Sequence, residues 1–171
     1  MKRTTEGWGS GLLGVIIFSG SLPATRVAVA DFSPIFLTSP RAVIAALLGS
    51  LFLLALRQPR PVKQDTVPLV FVAIGCVVGF PLLTALALQH ITSAHSLVFI
   101  GLLPLATAIF GMLRGGEHPK PAFWLFSTIV AAAVAGFALY GSQAGDVTGD
   151  LLMVAAYLVC GLGYGVGARL A

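Results

Sequence analysis

Four polar side chains interrupt otherwise apolar stretches of the sequence, namely Arg26, Arg41, Gln89 and His95. In hydrocarbon such groups are costly, so each is a candidate for binding or gating a small-molecule substrate. An arginine can contact a carboxylate or phosphate, and a histidine can take up a proton near neutral pH. A structural interpretation stays open for each type, because arginines also extend to a membrane interface and histidines also hydrogen-bond a neighbouring helix.

Three prolines, Pro23, Pro81 and Pro104, also fall within apolar stretches. Each removes a backbone hydrogen bond and leaves a carbonyl that neighbours or water must satisfy. The three positions are therefore hinge candidates, with a static kink as the alternative.

The titratable residues do not form a pattern typical of an enzyme. His90, His95 and His118 do not share a helix face at metal-ligand spacing, and no nucleophile elbow of the type Gly-x-Ser-x-Gly occurs. The two cysteines, Cys76 and Cys160, lie in apolar runs and are interpreted as small buried hydrophobic residues. We therefore expect no enzymatic activity, no metal and no cofactor.

The amino-acid composition indicates that this chain is embedded in a lipid bilayer. Of the 171 residues, 57% are hydrophobic and only 9% are charged, whereas soluble domains carry about 25% charged residues. The net charge of +4 is not arranged as a basic stripe with exposed aromatic residues, so a nucleic-acid partner is not expected.

Apolar windows of about 20 residues predict an all-α, polytopic membrane helix bundle with about six transmembrane helices. The windows cover 9–29, 35–56, two spans within 66–113 that turn near 89–91, 121–140 and 151–168.

The distribution of positive charge predicts which ends of the helices face the cytoplasm. The loops 57–63 and 114–120 combine helix breakers with Lys and Arg, which favours the cytoplasmic side, and the N-terminus follows them there. Asp31, Asp146 and Asp150 fall on the opposite side. A cleaved signal peptide ending near Ala30 is an alternative interpretation of the first span.

Small residues four positions apart recur along the chain, as in Gly7 and Gly11 or Gly75 and Gly79. Such spacing lets helix backbones approach closely. The series is densest in 161–167, which predicts a partner helix lying directly along the sixth span.

Several short stretches, in their order and spacing, resemble the EamA type of the drug/metabolite transporter superfamily, and the resemblance covers nearly the whole chain. It rests on 18–28 (FSGSLPATRVA), 40–45 (PRAVIA), 84–88 (TALAL), 92–96 (TSAHS), 103–106 (LPLA), 114–117 (RGGE) and Gly136.

This resemblance implies a bundle of ten helices built from two inverted five-helix repeats, with substrate handled in a cavity between them. Residues 9–141 would form the first repeat and 149–171 the opening helix of an incomplete second repeat, so we expect either a truncated chain or a partner subunit. The implied function is a multi-pass secondary transporter of the inner (plasma) membrane that exports small metabolites or amino acids by alternating access. A membrane interaction protein that transports nothing is the alternative.

Overall fold

The computed structural model describes residues 2–58, 61–115, 119–140, 146–167 and 170, and these residues form helices and short connections without any strand. The predicted all-α membrane bundle is confirmed. Parts of the two basic loops and His118 lie outside the described residues. The helices are α1 (Lys2–Ser19), α2 (Ser21–Asp31), α3 (Pro34–Ala55), α4 (Thr66–Val72), α5 (Phe80–His90), α6 (Ser93–Val98), α7 (Leu102–Gly115), α8 (Pro121–Tyr140) and α9 (Val147–Gly167).

Five stretches of the described residues are long and apolar enough to cross a bilayer, and a shorter apolar helix, Pro121–Phe137, stands where the fifth span was predicted. In chain order the five are Gly11–Asp31, Pro34–Ala55, Lys63–His90, Ser93–Leu113 and Val147–Gly167, which we call spans one, two, three, four and six; α8 is span five.

The connections follow local capping rules. At the start of α3 the Ser33 hydroxyl accepts a hydrogen bond from the Phe36 backbone amide. Pro34 occupies the first position of this helix. The turn between spans three and four consists of Ile91 and Thr92, slightly later than predicted, because Gln89 and His90 still belong to α5.

Span six lies at the centre of the molecule and packs mainly against α7 and α5. Glycine makes this possible, since added Cβ atoms on Gly161 and Gly165 would lie 2.8 and 2.9 Å from Ala106 and Phe110 of α7. The opposite face meets span three, where a Cβ on Gly163 would lie 2.5 Å from Cys76 Sγ. The close helix packing predicted for span six is confirmed, and it involves two partners, α7 on one face and span three on the other.

Not every glycine serves this purpose. A Cβ on Gly11, Gly14 or Gly136 would meet no atom within 4 Å among the described residues. The packing interpretation of the Gly7 and Gly11 pair therefore has no support from contacts at Gly11.

Each hinge-candidate proline comes shortly after a break in its span. Span one is interrupted at Gly20 before Pro23, span three contains a π-helical segment at Ala73–Gly79 before Pro81, and span four contains a 3-10 turn at Phe99–Gly101 before Pro104. Each of these breaks is a change of helix type within a span that continues as one helix, whereas Pro40 lies inside α3 without any such change. Whether these breaks move remains a prediction.

Replacing Gly161 by Ala should lower stability by about 1–3 kcal/mol, because the new methyl group would press on Ala106 and on the α7 backbone. Thermal unfolding of the purified protein in detergent measures this loss. Gly136→Ala is the matched control, since nothing lies near its added methyl group. Equal unfolding temperatures for the two variants would contradict the close packing of α9 on α7.

Candidate functional site

A cavity of about 170 Å³ lies beside the breaks in spans one and three. Helices α1, α2, α3, α5 and α9 and the π-helical segment contribute its walls. The apolar side chains include Phe18, Leu22 and Phe80, and the hydrogen-bonding side chains are Ser21, Thr25, Arg41, Thr84, Tyr157 and Tyr164. The breaks therefore bring polar groups from several spans together within the apolar bundle.

Arg41 supplies the charge of this cavity. Its Nη1 donates to Thr25 Oγ1 at 3.3 Å, and the Thr25 hydroxyl in turn donates to the Ser21 carbonyl at 2.7 Å. Arg41 also borders two adjoining hollows of about 310 and 190 Å³, and no Asp or Glu of the described residues lines any of the three. Arg41 is itself an exposed residue, and with no acidic side chain of the described residues lining these hollows its positive charge would favour an anion there.

Thr84 presents a buried hydroxyl at the cavity wall. Its Oγ1 has no hydrogen-bond partner in the described structure, although the residue is only 5% exposed. Buried hydroxyls nearly always find a partner, so this one is a candidate contact for a bound molecule. Sequence reasoning missed Thr84, because a threonine in an apolar helix usually bonds its own backbone.

The two cysteines also border this cavity. Cys160 is buried, as predicted for a small hydrophobic residue, and Cys76 is half-buried. The Cys76 thiol donates to the Cys160 carbonyl oxygen at 3.7 Å, which links span three to span six. Tyr157 lies nearby and is almost fully buried. No sequence pattern indicated that these three residues would meet.

The structure places only two of the predicted site residues, Arg41 and Pro81, at this cavity. Arg26 is half-buried and Pro23 is exposed, and neither lines it. Gln89 is exposed at the end of α5. Pro104 instead borders a separate hollow of about 450 Å³ that also contains Tyr164.

His95 lies away from the cavity and is paired. Its Nε2 is 2.8 Å from Asp150 Oδ1, and the two side chains are only 8% and 14% exposed. The interhelical hydrogen bond that sequence reasoning left open for His95 is therefore present. Asp150 was predicted only as a residue of the outer end.

A second, exposed pair joins His90 to Asp146, with Nδ1 and Oδ2 2.7 Å apart. The Thr148 amide donates to the other Asp146 oxygen at 3.0 Å. This backbone hydrogen bond has the largest effect on the carboxyl group, and the bonds from the Thr148 and His90 side chains come next. Together they hold the pKa of Asp146 below its ordinary value. The two pairs connect the end of span three, through His90, and the beginning of span four, through His95, to the start of span six.

Comparison with known proteins places this architecture in a family. A model of the EamA-like transporter family matches residues 7–139, which is most of the chain. The chain belongs to this family. It is also 60% identical, over 170 residues, to the uncharacterized transporter YdeK of Bacillus subtilis (strain 168).

That alignment covers 99% of this chain and 59% of the relative, so the chain spans about three fifths of the relative's length. No solved structure matches the chain significantly. Family membership and the apolar helices identify a multi-pass protein of the lipid bilayer, and they point to transport rather than enzymatic catalysis.

Replacing Thr84 by Val tests whether its hydroxyl lacks a structural partner. We expect unchanged stability or a gain of up to about 1 kcal/mol in the free protein, because the variant keeps the side-chain shape and removes an unsatisfied buried group. Thr38→Val is the matched control: Thr38 is also buried, but its hydroxyl donates to the Pro34 carbonyl at 2.8 Å, so its loss should cost about 1 kcal/mol. Denaturant unfolding in detergent measures both, and equal destabilisation would count against Thr84 as a ligand contact.

Proposed function

We propose that this chain handles the substrate of a secondary transporter that moves small metabolites or amino acids across the inner (plasma) membrane. The observation that supports this most directly is the cavity at the helix breaks, in which Arg41 is the charged group and hydroxyls accompany it. Discontinuous membrane helices around a polar cavity are typical of transporter binding sites.

The composition of the cavity favours a compact substrate with one anionic group. Arg41 would bind a carboxylate or phosphate through two parallel hydrogen bonds, and Thr25 and Thr84 would add neutral ones. Phe18, Phe80 and the other apolar wall residues would surround a hydrocarbon portion. A cavity of about 150 Å³ can hold a benzene molecule, so the volume here suits a small amino acid or a metabolite of similar size.

The proposed mechanism is alternating access, with export as its direction and a cytoplasmic N-terminus. The breaks before Pro23, Pro81 and Pro104 would be the places where these spans bend, because the missing amide of each proline weakens the helical hydrogen bonding there. Arg26, Gln89 and His95 would then act as gating residues outside the cavity, whereas Arg41 would contact the substrate. A partner subunit or a second repeat would complete the cavity.

A non-transporting membrane interaction protein is the second candidate. It is favoured by the uncovered face of span one, where Cβ atoms added to Gly11 and Gly14 would meet no atom of the described residues within 4 Å. The glycines of α9, by contrast, are already covered by helices of the same chain. A scaffold would leave solute gradients unchanged, which separates it from a transporter.

Replacing Arg41 by Ala should reduce transport by about tenfold or more, because a charge-assisted hydrogen bond contributes about 1.5–3 kcal/mol. The measurement is efflux of radiolabelled amino acids and small phosphate esters from proteoliposomes that contain the protein expressed from its complete natural gene. Arg41→Lys should retain part of the activity, since it keeps the charge but loses bidentate geometry.

Lys63→Ala is the matched control, because it removes the same charge from an exposed residue that does not line the cavity. It should transport like the wild type. If Arg41→Ala lowers folded yield and transport by the same factor, Arg41 is structural. If no solute of the panel moves in the wild type, the interaction function replaces the proposal.

A further inference from the structure

The buried pair of His95 and Asp150 joins two parts of the molecule. His95 belongs to α6, inside the residues that match the family model, whereas Asp150 lies in the first turn of α9, beyond them. The 2.8 Å contact therefore connects the matched five-span unit to the helix that follows it.

Apolar and backbone contacts orient the His95 ring. The rings of Phe99 and Phe137 lie 5.8 and 5.0 Å from it, centroid to centroid, and the Thr92 hydroxyl accepts the His95 amide. The imidazole therefore directs Nε2 toward the carboxylate of Asp150, and little water reaches either group.

Few other titratable groups lie on the surrounding elements. Helix α2 contributes Arg26 and Asp31, α5 contributes His90, and the residue before α9 is Asp146. Within the described part of the chain none of these four forms a hydrogen bond or ion pair with His95 or Asp150. From α8, the apolar ring of Phe137 packs against His95.

This isolation determines how the pair responds to a proton. With a neutral imidazole and an ionised carboxylate the pair carries one net negative charge, which an apolar environment disfavours. One added proton on the imidazole makes the pair neutral overall and its hydrogen bond charge-assisted. Imidazole is also the side chain that ordinarily changes charge between pH 5 and 8.

We propose that His95 and Asp150 form a proton-binding site whose occupancy controls how firmly the start of α9 is held against α6. Protonation strengthens the contact, and loss of the proton releases the first turns of α9. The inference goes beyond the proposed transport function and does not rest on it.

The chain contains its own comparison for this site. His90 and Asp146 form a contact of the same kind, from the end of α5 to the residue before α9, but their side chains are 39% and 47% exposed. Exposed ion pairs contribute little, because water and salt screen them. His90→Gln and Asp146→Asn are therefore matched controls for His95→Gln and Asp150→Asn.

The test is hydrogen–deuterium exchange of residues 147–153 in nanodisc-embedded protein at pH 5.5 and 8.0, corrected for the intrinsic pH dependence of exchange. In the wild type and both control variants we expect protection to fall about tenfold at the higher pH. In His95→Gln and Asp150→Asn that pH dependence should disappear. Equal pH dependence in all five proteins, or none in the wild type, would overturn the proposal.

A second measurement covers the case in which the buried variants fail to fold. Nitrogen-15 spectra of the wild-type histidines, assigned with His90→Gln and His118→Gln, should show the His95 imidazole changing charge state between pH 5 and 8.5. An unchanged His95 signal across that range rules out the proton site. Neither measurement uses a transported solute, so the proton site and the transport function can fail independently.

Discussion

Inside a bilayer no water is available to hydrogen-bond the backbone, and this constraint shapes the whole structure. Four spans contain a proline whose missing amide leaves a carbonyl without its regular intrahelical bond, including Pro23, Pro40, Pro81 and Pro104. At Pro23, Pro81 and Pro104 the helix type changes shortly before the proline, whereas Pro40 lies inside the uninterrupted α3. Two of these breaks border the same cavity, so the interruptions also create space for polar side chains. Backbone geometry, not surface charge, thus positions the candidate site.

Span six provides the second organising feature. Its glycines allow backbone contact with α7 on one face and with the π-helical segment of span three on the other. Because hydrophobic burial does not drive helix association in lipid, close packing of this kind is the main attraction available. It also brings Tyr157 and Cys160 to the cavity beside Arg41. The same helix therefore stabilises the bundle and completes the polar cavity.

The polar groups of the spans differ in how they are satisfied. Among the described residues, His95 has a buried acidic partner, Arg41 has one neutral partner and no acidic one, and the Thr84 hydroxyl has none. Intramembrane polar groups are costly, and incomplete satisfaction is expected where a mobile ligand supplies the missing contacts. This difference distinguishes the cavity, where the Thr84 hydroxyl has no partner among the described residues, from the His95 and Asp150 pair, whose side chains bond each other.

The sequence by itself determined the fold class, the number and approximate limits of the spans, the family resemblance and the importance of the glycines in α9. These follow from composition and from periodicity along one helix, which are local properties. It could not determine which polar residues meet, because Thr25, Arg41, Thr84 and Tyr157 come from four different helices, and neither spacing nor hydropathy encodes their approach. It also ranked Arg26 with Arg41 and found no partner for His95. Only the tertiary structure decided these points, since contact between helices depends on their rotation and crossing, which are set by packing along the entire interface.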